Sequence, residues 1–542
     1  MTAELSVVIA QQDFPVGDVD GNVRRVVKSI EQAEDQYQAD LLVFPELTLS
    51  GYPPEDLLLR RGFLDSIAQA LRLVVDSVGD IHVLLGHPLQ ENGALYNAVS
   101  WIHRGQIMGQ YRKQALPNYA VFDEKRYFKA GEGPLIIEIK SNRIGVLICE
   151  DIWEAEPLAQ LMGMDCDFHV VTNASPFHLE KRLQRSRVLA KRAQISGVPI
   201  VYANLVGGQD ELVFDGSSFV MHPDQQLLGP AAHFRSGLFC LDFASARFKP
   251  RGWAPEYEQA CDLSCIYQAL VLGTRDYIQK NGFKQVVLGL SGGIDSALTL
   301  AVAVDALGAG QVRAVLMPSR HTSDLSNELA ISQAQTLGVE YHSISIEPAF
   351  QALLNSLESD FTGTKADITE ENLQARVRGN ILMAFSNKFG EMLLTTGNKS
   401  EVAVGYSTIY GDMCGGFAPI KDCSKTLVYR LADYRNTVSD AIPQGVIDRP
   451  PSAELAPGQV DQDSLPAYEI LDEIISRYVE KDESVDQIVA AGFDEATVRR
   501  IARLILVNEY KRRQSAPGVR VTPRAFGRDR RYPMTSAWRD KG

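Results

Sequence analysis

No stretch of this 542-residue sequence approaches the ~18 consecutive apolar residues that span a bilayer, and the opening Met1-Thr2-Ala3-Glu4 lacks the basic region of a secretory signal. Both absences point to a cytoplasmic chain with no membrane partner. Cysteine is scarce: seven residues at positions 149, 166, 240, 261, 265, 414 and 423, odd in number and irregular in spacing, which fits a reducing compartment better than a disulfide framework. Cys261 and Cys265 have no second Cys/His pair near them, which argues against a zinc site. Positive charge is in deficit, 54 Lys and Arg against 68 Asp and Glu for a formal −14, so a general nucleic-acid binder, which needs a cationic surface, is excluded. Only the end of the chain reverses the balance. There Lys511, Arg512, Arg513, Arg520, Arg524, Arg528, Arg530 and Arg531 read either as phosphate-facing cations or as a solvated basic end. Internal repeats are absent too.

What is present is ordinary for a globular chain, 45% hydrophobic and 23% charged residues, over a length that requires at least two domains. Short apolar runs at 5–10, 41–44, 81–85, 144–148, 168–171 and 198–202 predict buried strands, and the three-to-four apolar spacing over 22–38 and 179–196 predicts surface helices. The first half is thus a layered α/β domain that ends at about 250–260, in a stretch without periodicity. The second half reads as helix 263–281, strand 285–290, a Gly-rich turn, helix 297–307 and strand 312–317. This βαβ alternation implies a parallel sheet with ligands at the carboxyl ends of its strands. Residues 449–466 hold four prolines and form a long loop, a connector or a lid.

The sharpest local signal is Ser291-Gly292-Gly293-Ile294-Asp295-Ser296, between an expected strand and an expected helix. Its glycines let backbone approach a phosphate, and the helix N-terminus offers unpaired N–H groups. Asp295 would repel phosphate unless a cation sat between them, which points to Mg²⁺. The segment is neither a Walker A loop nor a G-x-G-x-x-G fingerprint. Gly289-Leu290-Ser291-Gly292-Gly293 also fits the G-x-S-x-G of an α/β-hydrolase. Of nine histidines, however, only His321 and His342 follow Ser291, too soon for that fold's triad.

The Ser291-to-Ser296 loop resembles the pyrophosphate-binding loop of ATP pyrophosphatases. Three later segments narrow the likeness: Glu371-Asn372-Leu373-Gln374-Ala375-Arg376-Val377-Arg378-Gly379-Asn380, Thr395-Thr396-Gly397-Asn398-Lys399-Ser400-Glu401 and Gly405-Tyr406-Ser407-Thr408-Ile409-Tyr410-Gly411-Asp412. With them the second half resembles the NAD⁺ synthetases. The resemblance implies a doubly wound, Rossmann-like parallel sheet on which the nicotinate carboxylate of deamido-NAD⁺ is adenylated by ATP, ammonia then displacing AMP. It further implies that Gly289, Leu290, Ser291, Gly292, Gly293, Ile294, Asp295, Ser296 and Thr396 bind ATP. Asn372, Glu401 and Lys511 would contact deamido-NAD⁺, and Asp295 and Glu401 would carry Mg²⁺. Such chemistry joins two polyanions, which needs compensating cations.

Cys149 closes the run Ile144-Gly145-Val146-Leu147-Ile148 and precedes Glu150-Asp151-Ile152-Trp153. A lone buried cysteine is ordinary packing. Here it has company, since Glu46 ends another apolar run and Lys113 sits in Tyr111-Arg112-Lys113-Gln114-Ala115. Glu, Lys and Cys in this order resemble the triad of the carbon-nitrogen hydrolase (nitrilase) superfamily, and the resemblance implies that Lys113 favours the thiolate and then stabilises an oxyanion, while Glu46 takes the thiol proton, passes it to departing ammonia and activates water. No histidine has an equally marked context for a Cys/His pair. The resemblance also implies a four-layer α-β-β-α sandwich.

Phe122-Asp123-Glu124-Lys125-Arg126-Tyr127-Phe128 and Asn173-Ala174-Ser175-Pro176-Phe177 match the glutamine-hydrolysing branch attached to NAD⁺ synthetases. That match implies Tyr119, Ser175 and Lys181 as glutamine-binding residues and Glu124 as a second carboxylate beside Lys113. The two resemblances cover nearly the whole chain as domains 1–255 and 256–542. They imply one reaction, in which deamido-NAD⁺, ATP, L-glutamine and water give NAD⁺, AMP, diphosphate and L-glutamate, with ammonia passed internally in a homo-oligomer. The alternatives are another ATP-pyrophosphatase amidotransferase with a different acceptor, a stand-alone amidase with a degenerate partner domain, against which the intact Ser291-to-Ser296 loop speaks, and a non-catalytic nucleotide sensor.

Overall fold

The computed structural model describes residues 4–255, 262–452, 454–456, 459, 461–463, 465–538 and 540. Cys261, the domain boundary expected after residue 255, and Ala453, Pro457, Gly458, Val460 and Ser464 of the Pro-rich stretch lie outside the described residues or at their edge. The chain divides into two compact units, Met1–Cys261 and Asp262–Gly542. No helix among the described residues is long and apolar enough to cross a membrane.

The first unit carries β1 (Leu5–Gln11), α1 (Val19–Tyr37), β2 (Leu41–Val43), α2 (Arg61–Ser77), β3 (His82–Glu91), β4 (Ala94–His103), β5 (Gln106–Arg112), β6 (Leu135–Ile139), β7 (Asn142–Ile148), α3 (Ala155–Leu161), β8 (Phe168–Asn173), α4 (Lys181–Ser196), β9 (Ile200–Asn204), β10 (Val206–Gln209), β11 (Leu212–Asp215), β12 (Phe219–Met221), β13 (Leu227–Leu228), β14 (Gly237–Ala244) and β15 (Arg247–Arg251). Among the described residues two large sheets result, in the orders β15-β14-β1-β2-β3-β4-β5 and β13-β12-β9-β8-β7-β6, beside a two-stranded β10-β11 ribbon. Side-chain alternation in β1 builds the layers. Leu5, Val7 and Ile9 pack with Ile144 and Val146 of the other sheet. Val8 and Ala10 point the opposite way, onto Val26 and Ile30 of α1 and Val74 of α2. On the far side of the second sheet, Leu158 of α3 and Leu189 of α4 close the same core. The order is the expected α-β-β-α.

Every expected strand is present, yet apolar runs alone do not disclose the β3–β4–β5 meander. Its signal is in the turns: Asn92 and Gly93 at φ 50° and 78°, Arg104 and Gly105 at 47° and 69°, the left-handed pairs that tight hairpins require. The meander matters because it delivers Lys113 one residue past β5. β2 and β7, each paired in parallel to a neighbour, deliver Glu46 and Cys149 just beyond their carboxyl ends.

The second unit begins with α5 (Asp262–Lys280), β16 (Val286–Gly289), α6 (Ile294–Leu307), β17 (Val312–Leu316), α7 (Asp324–Thr336), β18 (Glu340–Ser343), α8 (Glu347–Leu357), α9 (Ile368–Phe389), β19 (Met392–Leu394), α10 (Lys399–Val404) and α11 (Lys425–Val438), and continues through shorter helices to Arg512. The four strands among its described residues are all parallel, in the order β18-β17-β16-β19. Val287, Val315 and Leu393 of one sheet face pack on Ile381, Leu382 and Phe385 of α9. α6, buried nearly all round, lies against β16 and β17. It starts at Ile294, three residues before the expected position, so Asp295 and Ser296 belong to its first turn.

The basic tail corrects one expectation. Arg512, Arg520 and Arg530 are buried, Arg512 and Arg530 on Glu509 at 2.8 and 2.6 Å and Arg520 on Asp529 at 2.8 Å. Guanidinium groups that find carboxylates in a low-dielectric interior are structural, not a solvated basic end. Their anions, Glu509 and Asp529, lie in the same segment, which an excess of one sign along the sequence conceals.

Candidate active sites

In the first unit, the ammonium of Lys113 donates to Glu46 Oε1 at 2.7 Å and to Glu124 Oε1 at 2.9 Å, all three side chains being almost fully buried. Two further donors fix Glu46: Asn97 Nδ2 at 2.7 Å on Oε1 and the Ala174 N–H at 3.0 Å on Oε2. Tyr52 donates its hydroxyl to Glu124 Oε1 at 3.0 Å. Asn97 and Tyr52 carry no sequence signal, because contacts to them are made only by sheet pairing and by a loop. Cys149, 5% exposed, stands at φ 44°, a left-handed backbone that an L-residue adopts at a cost in strain.

Burial pushes the Cys149 thiol well up, Glu46 adds to that, and Lys113 pulls it down without overcoming them. The expectation that Lys113 favours a thiolate holds in sign but is outweighed, because two carboxylates already share the lysine's charge. For Lys113 itself burial opposes the charge, and Glu124 and Glu46 together outweigh burial, holding the ammonium protonated. Burial raises Glu124 to about 7, with Lys113 opposing. A thiol at rest beside a fixed carboxylate suits a nucleophile whose proton leaves as it attacks.

The expected glutamine-binding residues surround this cluster. Tyr119 donates to Glu150 Oε1, next to the cysteine, at 2.9 Å. The Lys181 ammonium lies 4.1 Å from the centroid of the Trp153 ring, a cation–π contact. Ser175 is held by a residue the sequence did not point to. Arg185, fully buried, donates from Nε to Ser175 Oγ at 3.2 Å and from Nη2 to the Ser175 carbonyl at 2.7 Å, while Nη1 bridges both oxygens of Asp215. Removing one partner of such a pair strands the other. Arg185→Ala should therefore lower unfolding stability by about 3–5 kcal/mol in urea titration and raise the KM for glutamine.

In the second unit the Ser291-to-Ser296 segment forms a tight turn into α6. Ser296 Oγ donates to the Gly293 carbonyl at 3.0 Å and accepts the Ser291 N–H at 3.2 Å. At Gly292, φ 79°, a Cβ would fall 2.2 Å from the Ser326 carbonyl oxygen, so only glycine fits. Gly289, Leu290, Ser291, Gly293, Ile294, Asp295 and Ser296 line a cavity of about 550 Å³, as do Thr396, Asn372, Glu401 and Lys511. Gly292 is set back from its wall. The cavity opens where ligands of doubly wound sheets bind, beyond the carboxyl ends of β16, β17 and β19. The Pro-rich stretch reaches it through Arg449, Ser452, Glu454 and Leu455, so that segment is more than a connector. Glu454 accepts from Ser323 Oγ at 2.9 Å and Ser326 Oγ at 2.8 Å at the start of α7.

Lys425 is the cavity residue the sequence most clearly failed to announce. Its ammonium donates to Asp295 Oδ2 at 2.5 Å and approaches Glu401 Oε1 at 3.3 Å, while Asn398 Nδ2 donates to Asp295 Oδ1 at 2.8 Å. Burial raises Glu401 to about 8, Lys425 opposing and Asp295 adding. Asp295 and Glu401 thus share the Lys425 cation and are hard oxygen donors, the ligand type that Mg²⁺ takes; among the described residues no third His, Cys, Asp or Glu completes a metal-binding group with them. Asn398 also caps α10, accepting the Glu401 N–H at 3.1 Å. At the other end of α10, Asn508 and Arg512 donate to the carbonyls of Val404 and Ala403 at 2.8 and 2.7 Å. Lys511 donates to those of Gly405 and Ser407, both at 2.9 Å. Lys511 thus holds the helix that presents Glu401. Asn372 Oδ1 accepts from Thr408 Oγ1 at 2.7 Å.

Comparison with known proteins follows the same division. A carbon-nitrogen hydrolase family model matches residues 6–249 and an NAD synthase model matches residues 266–515. The glutamine-dependent NAD(+) synthetase of Xylella fastidiosa (strain 9a5c) is 51% identical over 545 residues, covering 99% of this chain and 100% of the relative. That of Xanthomonas campestris pv. campestris (strain 8004) is 52% identical over 541 residues, 98% of each chain. Among solved structures, glutamine-dependent NAD+ synthetase from Acinetobacter baumannii, in complex with adenosine diphosphate, aligns over 100% of both chains at a TM-score of 0.80 and 44% identity.

Proposed function

Because the chain belongs to the glutamine-dependent NAD⁺ synthetases, a family of ligases, we propose that it completes NAD⁺ with its two units in sequence, the first, 1–255, releasing ammonia from glutamine and the second, 256–542, spending it on adenylated deamido-NAD⁺. The observation that carries the reading is the buried Glu46–Lys113–Glu124 cluster beside Cys149, in a chain whose other unit holds a glycine-turn cavity at the ends of a parallel sheet.

In the first unit Cys149 attacks the glutamine carboxamide, its proton passing to Glu46, whose Oε2 is anchored by the Ala174 N–H. Lys113, held protonated, stabilises the tetrahedral oxyanion. Glu46 then protonates the departing ammonia and activates the water that cleaves the thioester. Tyr119, Ser175 and Lys181 bind glutamine, and Lys181 supplies the charge that suits its carboxylate. In the second unit the Gly289-to-Ser296 turn and Thr396 bind ATP, the N–H groups at the start of α6 facing phosphate. Asn372, Glu401 and Lys511 take deamido-NAD⁺. Asp295 and Glu401 would hold Mg²⁺, which supplies charge neutralisation between carboxylates and phosphates. A cytoplasmic setting and a homo-oligomeric assembly are part of the proposal.

The test supplies purified protein with deamido-NAD⁺, ATP, Mg²⁺ and amide-¹⁵N glutamine, and follows NAD⁺, AMP and label by chromatography and mass spectrometry. Labelled NAD⁺ with stoichiometric AMP is expected. Chelating Mg²⁺ with EDTA should stop AMP formation and spare glutamate release. Glutamate without NAD⁺ or AMP under full conditions would refute the acceptor assignment, and size-exclusion light scattering reads the assembly.

A further inference from the structure

Asp151 is wholly buried two residues after Cys149, and its carboxylate takes four donors, one from β5, two from the segment that follows β5 and one from β7. Oδ1 accepts the backbone N–H groups of Gln114 at 3.0 Å and Ala115 at 2.7 Å, the two residues that follow Lys113. Oδ2 accepts the Tyr111 hydroxyl at 2.9 Å, two residues before Lys113, and the Ile148 N–H at 3.1 Å, one residue before Cys149. One side chain therefore grips both flanks of the lysine and the approach to the cysteine.

We propose that Asp151 is a positioning residue of the glutaminase site, a clamp that fixes the Lys113 segment against the Cys149 turn. The inference rests on the reading of Cys149 as nucleophile and of Lys113 as its oxyanion partner. Its physical basis is donor arithmetic. A carboxylate is an acceptor on both oxygens, and four donors converge here, so no isostere satisfies them. An asparagine would turn its amide NH₂ either onto the Gln114 and Ala115 N–H groups or onto the Ile148 N–H, leaving backbone donors buried and unpaired. A leucine would leave all four.

The clamp spans the two sheets of the sandwich, since β5 ends just before Lys113 in one and β7 ends just before Cys149 in the other. Neither sheet alone fixes the distance between the two functional groups. Cys149 also holds a strained backbone, which relaxes unless its neighbours are pinned on both sides. Asp151 has no hydrogen bond to the Cys149 side chain, so it acts through the backbone.

The test uses the full chain carrying Asp151→Asn. Glutamine hydrolysis should fall about 100-fold in kcat, with KM within about threefold, because the attacking and stabilising groups move apart while the glutamine contacts stay. Cys149 is faced by Glu46, Glu124, Glu150 and Lys113, of which only Lys113 lowers its pKa. Withdrawing Lys113 should therefore move the pH profile of iodoacetamide alkylation at Cys149 upward, read by peptide mass spectrometry. Synthesis of NAD⁺ from ammonium should stay within twofold.

A kcat and an alkylation profile both within twofold of the parent would overturn the clamp. If Asp151→Asn loses its near-ultraviolet circular dichroism, Tyr111→Phe, which removes one donor of the four, must shift the profile in the same sense by less; an unmoved profile there overturns it too. Should the parent keep hydrolysing glutamine with Cys149 fully alkylated, the nucleophile reading itself fails, and the clamp with it.

Discussion

Replacing Cys149 by alanine should abolish glutamine-dependent NAD⁺ synthesis, by ~10⁴-fold or more, and should leave synthesis from added ammonium within about twofold. The size of the loss follows from the cluster's make-up. Glu46 and Lys113 are committed to each other at 2.7 Å and to Asn97, Ala174 and Glu124, so neither is free to act as a substitute nucleophile. Of the other described cysteines in that unit, Cys240 is wholly buried on β14 and Cys166 lies ahead of β8, at the opposite end of the strands from Cys149. The spared activity follows from the second cavity, whose lining runs only from Gly289 to Lys511. Ammonium must be tested at mildly alkaline pH, where more of it is the neutral nucleophile. Loss of both activities in a folded variant would contradict two separable chemistries.

How much of this was legible in sequence depends on the range of the interaction. Strands buried on both faces write themselves as short apolar runs, so β1, β7 and β8 could be read. The Ser291-to-Ser296 turn is local, and glycine at position 292 is demanded by a backbone oxygen only 2.2 Å from where a Cβ would be. Glu46 and Cys149 were visible because each follows a legible apolar run, whereas Lys113 follows a strand that no apolar run announces and was found only through its motif and the family resemblance. Arg185, Asn97 and Lys425 were not, since each acts through a partner 10 to 130 residues away and resembles any polar residue on a helix or strand. The basic tail misled for a different reason: Arg512, Arg520 and Arg530 are paired in the interior with Glu509 and Asp529, carboxylates in or beside the tail that its excess of basic residues conceals. Asp151 sat in plain view beside the cysteine, but only the pairing of two sheets gives it four donors.

Replacing Asp295 by alanine should cut AMP formation by ~10³-fold while glutamine hydrolysis persists, perturbed only through coupling to the emptied acceptor site. Asp295 stands in the first turn of α6, where its two oxygens accept Lys425 and Asn398. Its removal does three things at once. A carboxylate proposed to hold Mg²⁺ is gone, Lys425 is left with Glu401 alone at 3.3 Å, and Glu401 loses the neighbour whose charge helps to raise it to about 8. Lys425 is then expected to draw toward Glu401, so that the remaining carboxylate is tied up by the lysine and less able to hold Mg²⁺. Asp295→Asn separates charge from shape, because the amide keeps the volume and can still accept from Lys425. If charge is what matters, it should lose AMP formation nearly as fully as alanine does. If shape is what matters, asparagine should retain most of it. Part of Asp295 is exposed, so a thermal melt must accompany both variants, and unchanged AMP production in either folded variant would remove Asp295 from the metal site.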